Sequence, residues 1–240
     1  MPVQLPLIAL ALAFALTGCS DREAEAAAQA AARAEAAERQ ASEAEAGFDK
    51  AVADENWALA KAQGEVLFMR WPDTDAADRV RARFDDITAK ADDERESTRT
   101  AALWSYQAIA VEGGQQRSAA IDARERVDVD GSGARRVQLI FRDHPSWGRS
   151  SYLVLQAGDF DCYGQCRVNV TVDGDARRMA ANRPRTDEAI AMFVNDEAAL
   201  WAAIRDAKTL SIEFPVSAGG NRTAVFEVGG LDRARMPGWD

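Results

Sequence analysis

Few residues in this chain of 240 have a type and spacing suited to chemistry. They are Cys162 and Cys166, separated by Tyr163-Gly164-Gln165; the single histidine, His144; the acidic pair Asp159 and Asp161 around Phe160; and Ser132 between Gly131 and Gly133. Two cysteines this close can form a disulfide, act as a redox pair or supply two metal ligands. Two carboxylates can act as acid and base on a glycosidic bond, and beside Tyr163 they could bind a cation or a sugar. A pair one residue apart in a turn more often caps its own backbone, and that is the preferred reading of Asp159 and Asp161. Ser132 lacks the setting of a nucleophile, because its glycines are too close for a Gly-x-Ser-x-Gly elbow and the stretch is turn-like. His144 leads into Pro145, Ser146, Trp147 and Gly148, which reads as a surface loop and not as the base of a catalytic pair. Phosphate-cradling glycine motifs do not occur. No catalytic residue, metal site or cofactor is expected.

The elements that must carry these residues fall into distinct regions. With 47 % hydrophobic and 28 % charged residues the chain has a globular, water-soluble composition. Its net charge of -10 argues against nucleic acid as a partner, since phosphate binding needs a basic face. Alanine fills 17 of the 40 residues 21–60, and residues 21–46 contain no Leu, Ile, Val, Phe or Met. High helix propensity without a hydrophobic seam predicts a solvated helical spacer, or an alanine-faced weak coiled coil, reaching about 65 Å if fully helical. Larger residues return at Phe48, Val52, Trp57 and Leu59 and lead to Trp71-Pro72, where a helix must stop. Beyond the proline, Ala76, Val80, Phe84, Ile87 and Ala91 recur at helical spacing, so a second helix and a helical hairpin are expected.

From Trp104 the period changes to two. Val137, Leu139 and Phe141, then Val168, Val170 and Val172, then Leu210, Ile212 and Phe214 each occupy alternate positions of a half-buried antiparallel strand. Asp173-Gly174 is a hairpin turn signal. One late helix is expected over 196–207, with Asn195 as its N-cap and Leu200, Trp201 and Ile204 on its buried side. The fold class is thus α+β: an N-terminal helical spacer and helical hairpin, then an antiparallel β-sandwich or partly open barrel with one late helix.

Residues 6–17 form an apolar run shorter than the roughly 20 residues of a membrane-spanning helix, and it ends in Leu16-Thr17-Gly18-Cys19. That tetrapeptide resembles the lipobox of bacterial lipoproteins, although residues 1–5 lack the usual Lys or Arg. The resemblance implies a signal peptide over 1–18 and a lipidated Cys19 that becomes the mature N-terminus. It also implies a chain held on the membrane by acyl chains such as palmitate, facing the periplasm. By similarity to enterobacterial lipoproteins, Ser20 after the cysteine points to the outer membrane. If Cys19 carries lipid, Cys162 and Cys166 remain as one even pair in an oxidising compartment, and a structural disulfide is preferred over a redox pair or metal ligands. The strand-like residues on either side would place it at the neck of a hairpin loop. That rigid loop, with Asp159, Phe160, Asp161 and Tyr163, is the first candidate for a recognition surface.

A weaker resemblance covers residues 104–231. Phe160-Asp161-Cys162, Cys166, Val168-Asn169-Val170, Asp173-Gly174, Ala207-Lys208, Leu210 and Phe226-Glu227-Val228-Gly229-Gly230-Leu231 are similar to the β domain of uncharacterised proteobacterial envelope lipoproteins and, more loosely, of type VI secretion accessory proteins. The organisation expected is a signal peptide (1–18), helical spacer (19–62), amphipathic helix and linker (63–100), β domain (104–232) and tail (233–240). The function expected is a membrane-anchored, non-enzymatic binding or accessory module that holds an envelope protein or peptidoglycan. The alternatives are a carboxylate-dependent, peptidoglycan-directed hydrolase and a purely structural tether.

Overall fold

The computed structural model describes residues 17–185 and 190–239, with side chains from Arg22 onward. Residues 1–16 of the expected signal peptide, with Leu16 of the expected lipobox, therefore lie outside the described residues, as does the Cys19 side chain. The residues up to Glu94 form one compact unit and those from Arg95 a second. The charge divides unevenly between them. The first holds 10 Lys and Arg against 19 Asp and Glu, the second 19 against 20. The acid excess thus belongs to the first unit, and the second is close to neutral.

The first unit is built from α1 (Thr17–Ala53), α2 (Trp57–Arg70) and most of α3 (Asp75–Ala101). Residues 22–35 of α1 are exposed throughout, as a helix without large apolar side chains must be. Further along, α1 enters a bundle. Ala41, Phe48 and Ala51 are buried, and Phe48 and Ala51 pack with Ala60, Leu67, Ala77, Val80 and Ile87. The Glu38 carboxylate accepts from the backbone N–H groups of Asp75 (2.8 Å) and Ala76 (3.2 Å), satisfying the open N-terminus of α3. Arg79 donates to both oxygens of Glu45, holding that carboxyl below its ordinary range, and Arg83 pairs with Asp49. The residues expected as a helical spacer over 19–62 are helical in two pieces. The chain reverses at 54–56, where Glu55 takes a φ of 53° and the Asn56 side chain accepts from Leu59 N–H (3.1 Å) to cap α2. The stop at Trp71-Pro72 is where the sequence puts it, and the stripe on α3 faces its own bundle.

In the second unit one antiparallel sheet holds all nine strands of the described residues: β1 (Trp104–Val111), β2 (Gly114–Asp122), β3 (Val137–His144), β4 (Gly148–Leu155), β5 (Cys166–Val172), β6 (Asp175–Asn182), β7 (Ala191–Val194), β8 (Leu210–Pro215) and β9 (Asn221–Phe226). Their order is β1-β2-β3-β4-β7-β6-β5-β8-β9. The sandwich is therefore replaced by a single curled sheet, and the barrel stays open. The two ends approach each other, with Arg124 N–H donating to Val225 O (2.7 Å) and Trp104 Nε1–H to Val228 O (3.3 Å), but no ladder joins β9 to β1. The alternating residues of β3, β5 and β8 all point into one core, shared with Leu200, Trp201 and Ile204 of α4 (Glu197–Ile204). The N-cap of α4 is Asp196, whose side chain accepts from Ala199 N–H (3.1 Å), and not Asn195. Asp173 (φ 47°) and Gly174 (φ 95°) make the β5–β6 turn. The expected tail packs back onto the core: Met236 and Trp239 are buried, and the Trp239 ring lies 4.9 Å from Trp201 and 5.5 Å from Phe141.

Candidate functional site

Cys162 and Cys166 are disulfide-bonded, with Cα atoms 5.1 Å apart. The bond does not close the neck of a hairpin. β4 pairs with β3 and β7, and β5 with β6 and β8, so the segment between β4 and β5 passes from one half of the sheet to the other. Backbone bonds tie that segment down: Asp161 N–H to Pro215 O (3.1 Å), Ser217 N–H to Asp159 O (2.9 Å) and Arg183 N–H to Cys162 O (2.8 Å). Phe160 is the correction to the recognition loop, since it is wholly buried against Phe214 with ring centres 5.3 Å apart. Asp161 is exposed, and Tyr163 is the aromatic that the loop does display.

Asp159 is the polar centre of the segment. Its carboxylate accepts from Phe160 N–H (2.7 Å), Arg183 Nε–H (2.8 Å) and the Tyr163 hydroxyl (2.5 Å), while the Arg183 guanidinium lies over the Tyr163 ring. Partial burial pushes the Asp159 carboxyl upward, but the bonds from Arg183 and Tyr163 outweigh it and leave the group below its ordinary range. Arg183 itself is buried. The cluster therefore holds the loop in place. Among the described residues no group of three or more His, Cys, Asp or Glu side chains is placed to hold a metal ion. Because the disulfide closes only a five-residue loop, replacing Cys162 and Cys166 by serine should cost about 2 kcal/mol, read by denaturant unfolding. A much larger loss would show that the bond staples the whole unit.

His144 is not on a surface loop. It ends β3, is 7 % exposed, and its Nδ1 accepts from Ser146 N–H (3.1 Å) and Trp147 N–H (3.3 Å). Its ring stacks on Trp147 at 3.9 Å, leaving that indole 70 % exposed. The histidine builds the β3–β4 turn and presents Trp147.

The outward face of the sheet around that turn was not singled out from the sequence. In register across the strands, Ala120, Ile140, Tyr152 and Phe193 form one row and Gln107, Ser118, Arg142 and Ser150 the next. A polar cleft of about 220 Å³ opens on this face between Gln107, Gln116, Gln138 and Tyr152. A second, of about 360 Å³, is lined by Arg149, Ser150, Asn182, Phe193, Asn195 and Glu197, so that it carries one charge of each sign. Between them the Arg142 guanidinium is 5.3 Å from the ring centres of both Trp147 and Tyr152. Among the described residues it makes no hydrogen bond or ion pair, and its Nε is buried without an acceptor. Burial raises the Tyr152 phenol above its ordinary value, with the Arg142 charge acting the other way. The one sequence signal for this face is Trp147 in a turn beside an outward-pointing arginine.

Fold and site together define an α+β protein that couples a charged helical bundle to an open, curled antiparallel sheet with a polar-aromatic outer face. No family model, no curated protein and no solved structure matches the chain.

Proposed function

We propose that this chain is a lipid-anchored, periplasm-facing lipoprotein of the bacterial outer membrane, acting as a non-enzymatic binding module of the cell envelope. The observation that carries the reading is the lipobox-like tetrapeptide Leu16-Thr17-Gly18-Cys19 followed by a helix exposed over residues 22–35. That order supplies an anchor, then reach, then a folded unit with a displayed face. Support for binding over catalysis comes from how the reactive side chains are used. Asp159 is held by Arg183 and Tyr163, His144 Nδ1 by two backbone N–H groups, and the cysteines by each other.

Cys19→Ser tests the anchor. In cells fed an alkyne fatty acid, the native chain should take up the label and sediment with outer membranes. The variant should be unlabelled and released, because each buried methylene contributes about 0.8 kcal/mol and two or three chains make the anchor nearly permanent. An unlabelled native chain sinks the proposal.

A further inference from the structure

Resting on that reading, we infer that the outward face of β1–β4, β7 and β6 binds the glycan strands of peptidoglycan: N-acetylated saccharide bearing carboxylates on its lactyl and stem-peptide substituents. Three properties of the face point to this chemistry.

The first is its hydrogen-bonding character. Gln107, Gln116 and Gln138 line the first cleft, and Asn182 and Asn195 the second. A carboxamide both donates and accepts, which matches the acetamido and hydroxyl groups of an amino sugar. The second is aromatic surface beside these amides. Trp147 is 70 % exposed, and the Tyr152 and Phe193 rings, 5.0 Å apart, form a ridge between the clefts. Such rings accept the C–H faces of pyranoses as readily as other apolar surface. The third is charge. Arg142, held between two rings and without an anionic partner among the described residues, presents a rigid donor fork suited to a carboxylate. The near-neutral second unit imposes no net repulsion on an acidic polymer.

The extent of the face suits a chain more than a small molecule, since β1, β2, β3, β4, β7 and β6 lie side by side and span about 24 Å at the usual strand spacing. A protein partner fits less well. The centre of a stable protein interface is more apolar than the surface around it, whereas the first cleft is lined mostly by amides and hydroxyls.

The test is co-sedimentation of the full mature protein, kept in detergent, with purified sacculi. Muramidase-solubilised fragments and a chitin oligosaccharide, which lacks the carboxylate, serve as competitors. The native protein should sediment, and the muramyl fragments should compete better than chitin. Arg142→Gln should bind about tenfold more weakly or worse. Gln116→Glu, at a half-exposed position, should weaken binding by repelling the carboxylate and supplies a second variant should Arg142→Gln fail to fold. Native protein that stays in the supernatant overturns the inference, as do folded variants that bind like the native chain. Recovery of a cross-linked envelope protein but no glycan from lipid-labelled cells rejects this ligand and leaves the binding-module reading standing. Loss of lipid labelling with sacculus binding intact does the reverse.

Discussion

Asp159→Ala is expected to destabilise the β unit by about 3 kcal/mol, because one partly buried carboxylate accepts three hydrogen bonds at about 1 kcal/mol or more each, all strengthened by its charge. The substitution frees Phe160 N–H, the Tyr163 hydroxyl and Arg183 Nε–H together, and so loosens the segment that links the two halves of the sheet. The loss is pH-dependent, with a fixed sign. The folded state holds the Asp159 carboxyl below its ordinary value of 3.8, so the charged form is favoured by folding. Its contribution is complete above that value and disappears as pH falls through the lower folded value. The native protein and Asp159→Ala should differ most near neutrality and converge in acid. Urea unfolding at a series of pH values reads this directly. A difference that does not shrink on acidification would mean that the carboxylate is not what holds the loop.

How much of this was legible in the sequence depends on the range of the interaction. Val137, Leu139 and Phe141 of β3 announce a strand because a half-buried sheet selects apolar side chains at every second position, and the sheet needs no further information to do so. Asp173-Gly174 is as clear, since positive φ at both central positions restricts the residue types. The reversal at 54–56 carries no such mark. Glu55 takes its positive φ without being glycine, and the Asn56 cap together with the burial of Phe48 and Leu67 in one core favours that turn over more helix. Strand order was out of reach for a related reason. Adjacency in sequence suggests that β4 pairs with β5, but pairing is decided by which curled arrangement buries both halves in one core, and β7 and β6 take the places between them. The same long range hides the site. Arg183 is 24 residues from Asp159, and Phe193 meets Tyr152 only through the β4–β7 ladder. The burial of Trp239 likewise follows from contact with Trp201 and Phe141, neither of which is near it in sequence.

Gly230→Ala should cost the β unit about 3 kcal/mol or more, whereas Gly174→Ala should cost only about 1 kcal/mol, although both glycines have positive φ. Backbone conformation alone would make them alike, since an L residue pays a similar steric penalty at φ 71° and φ 95°. Their surroundings separate them. An added Cβ at Gly174 meets nothing within 4 Å. At Gly230 it would lie 2.4 Å from Ala101 N and 2.7 Å from Ala101 Cα, and these are backbone atoms that no rotamer change can move. The clash lies where the chain leaving β9 closes over the end of α3, next to Val228 O, which accepts from Trp104 Nε1–H, and Asp232 N–H, which donates to the Tyr106 hydroxyl. Relieving it must push the two ends of the curled sheet apart, so part of the core opens along with the contact. For a unit of this size the loss corresponds to a fall in Tm of about 10 °C. The near-ultraviolet circular dichroism of the buried Trp201 and Trp239 pair would report it. Equal melting of the two variants would show that the seam between the ends of the sheet yields at little cost and contributes little to holding those ends near each other.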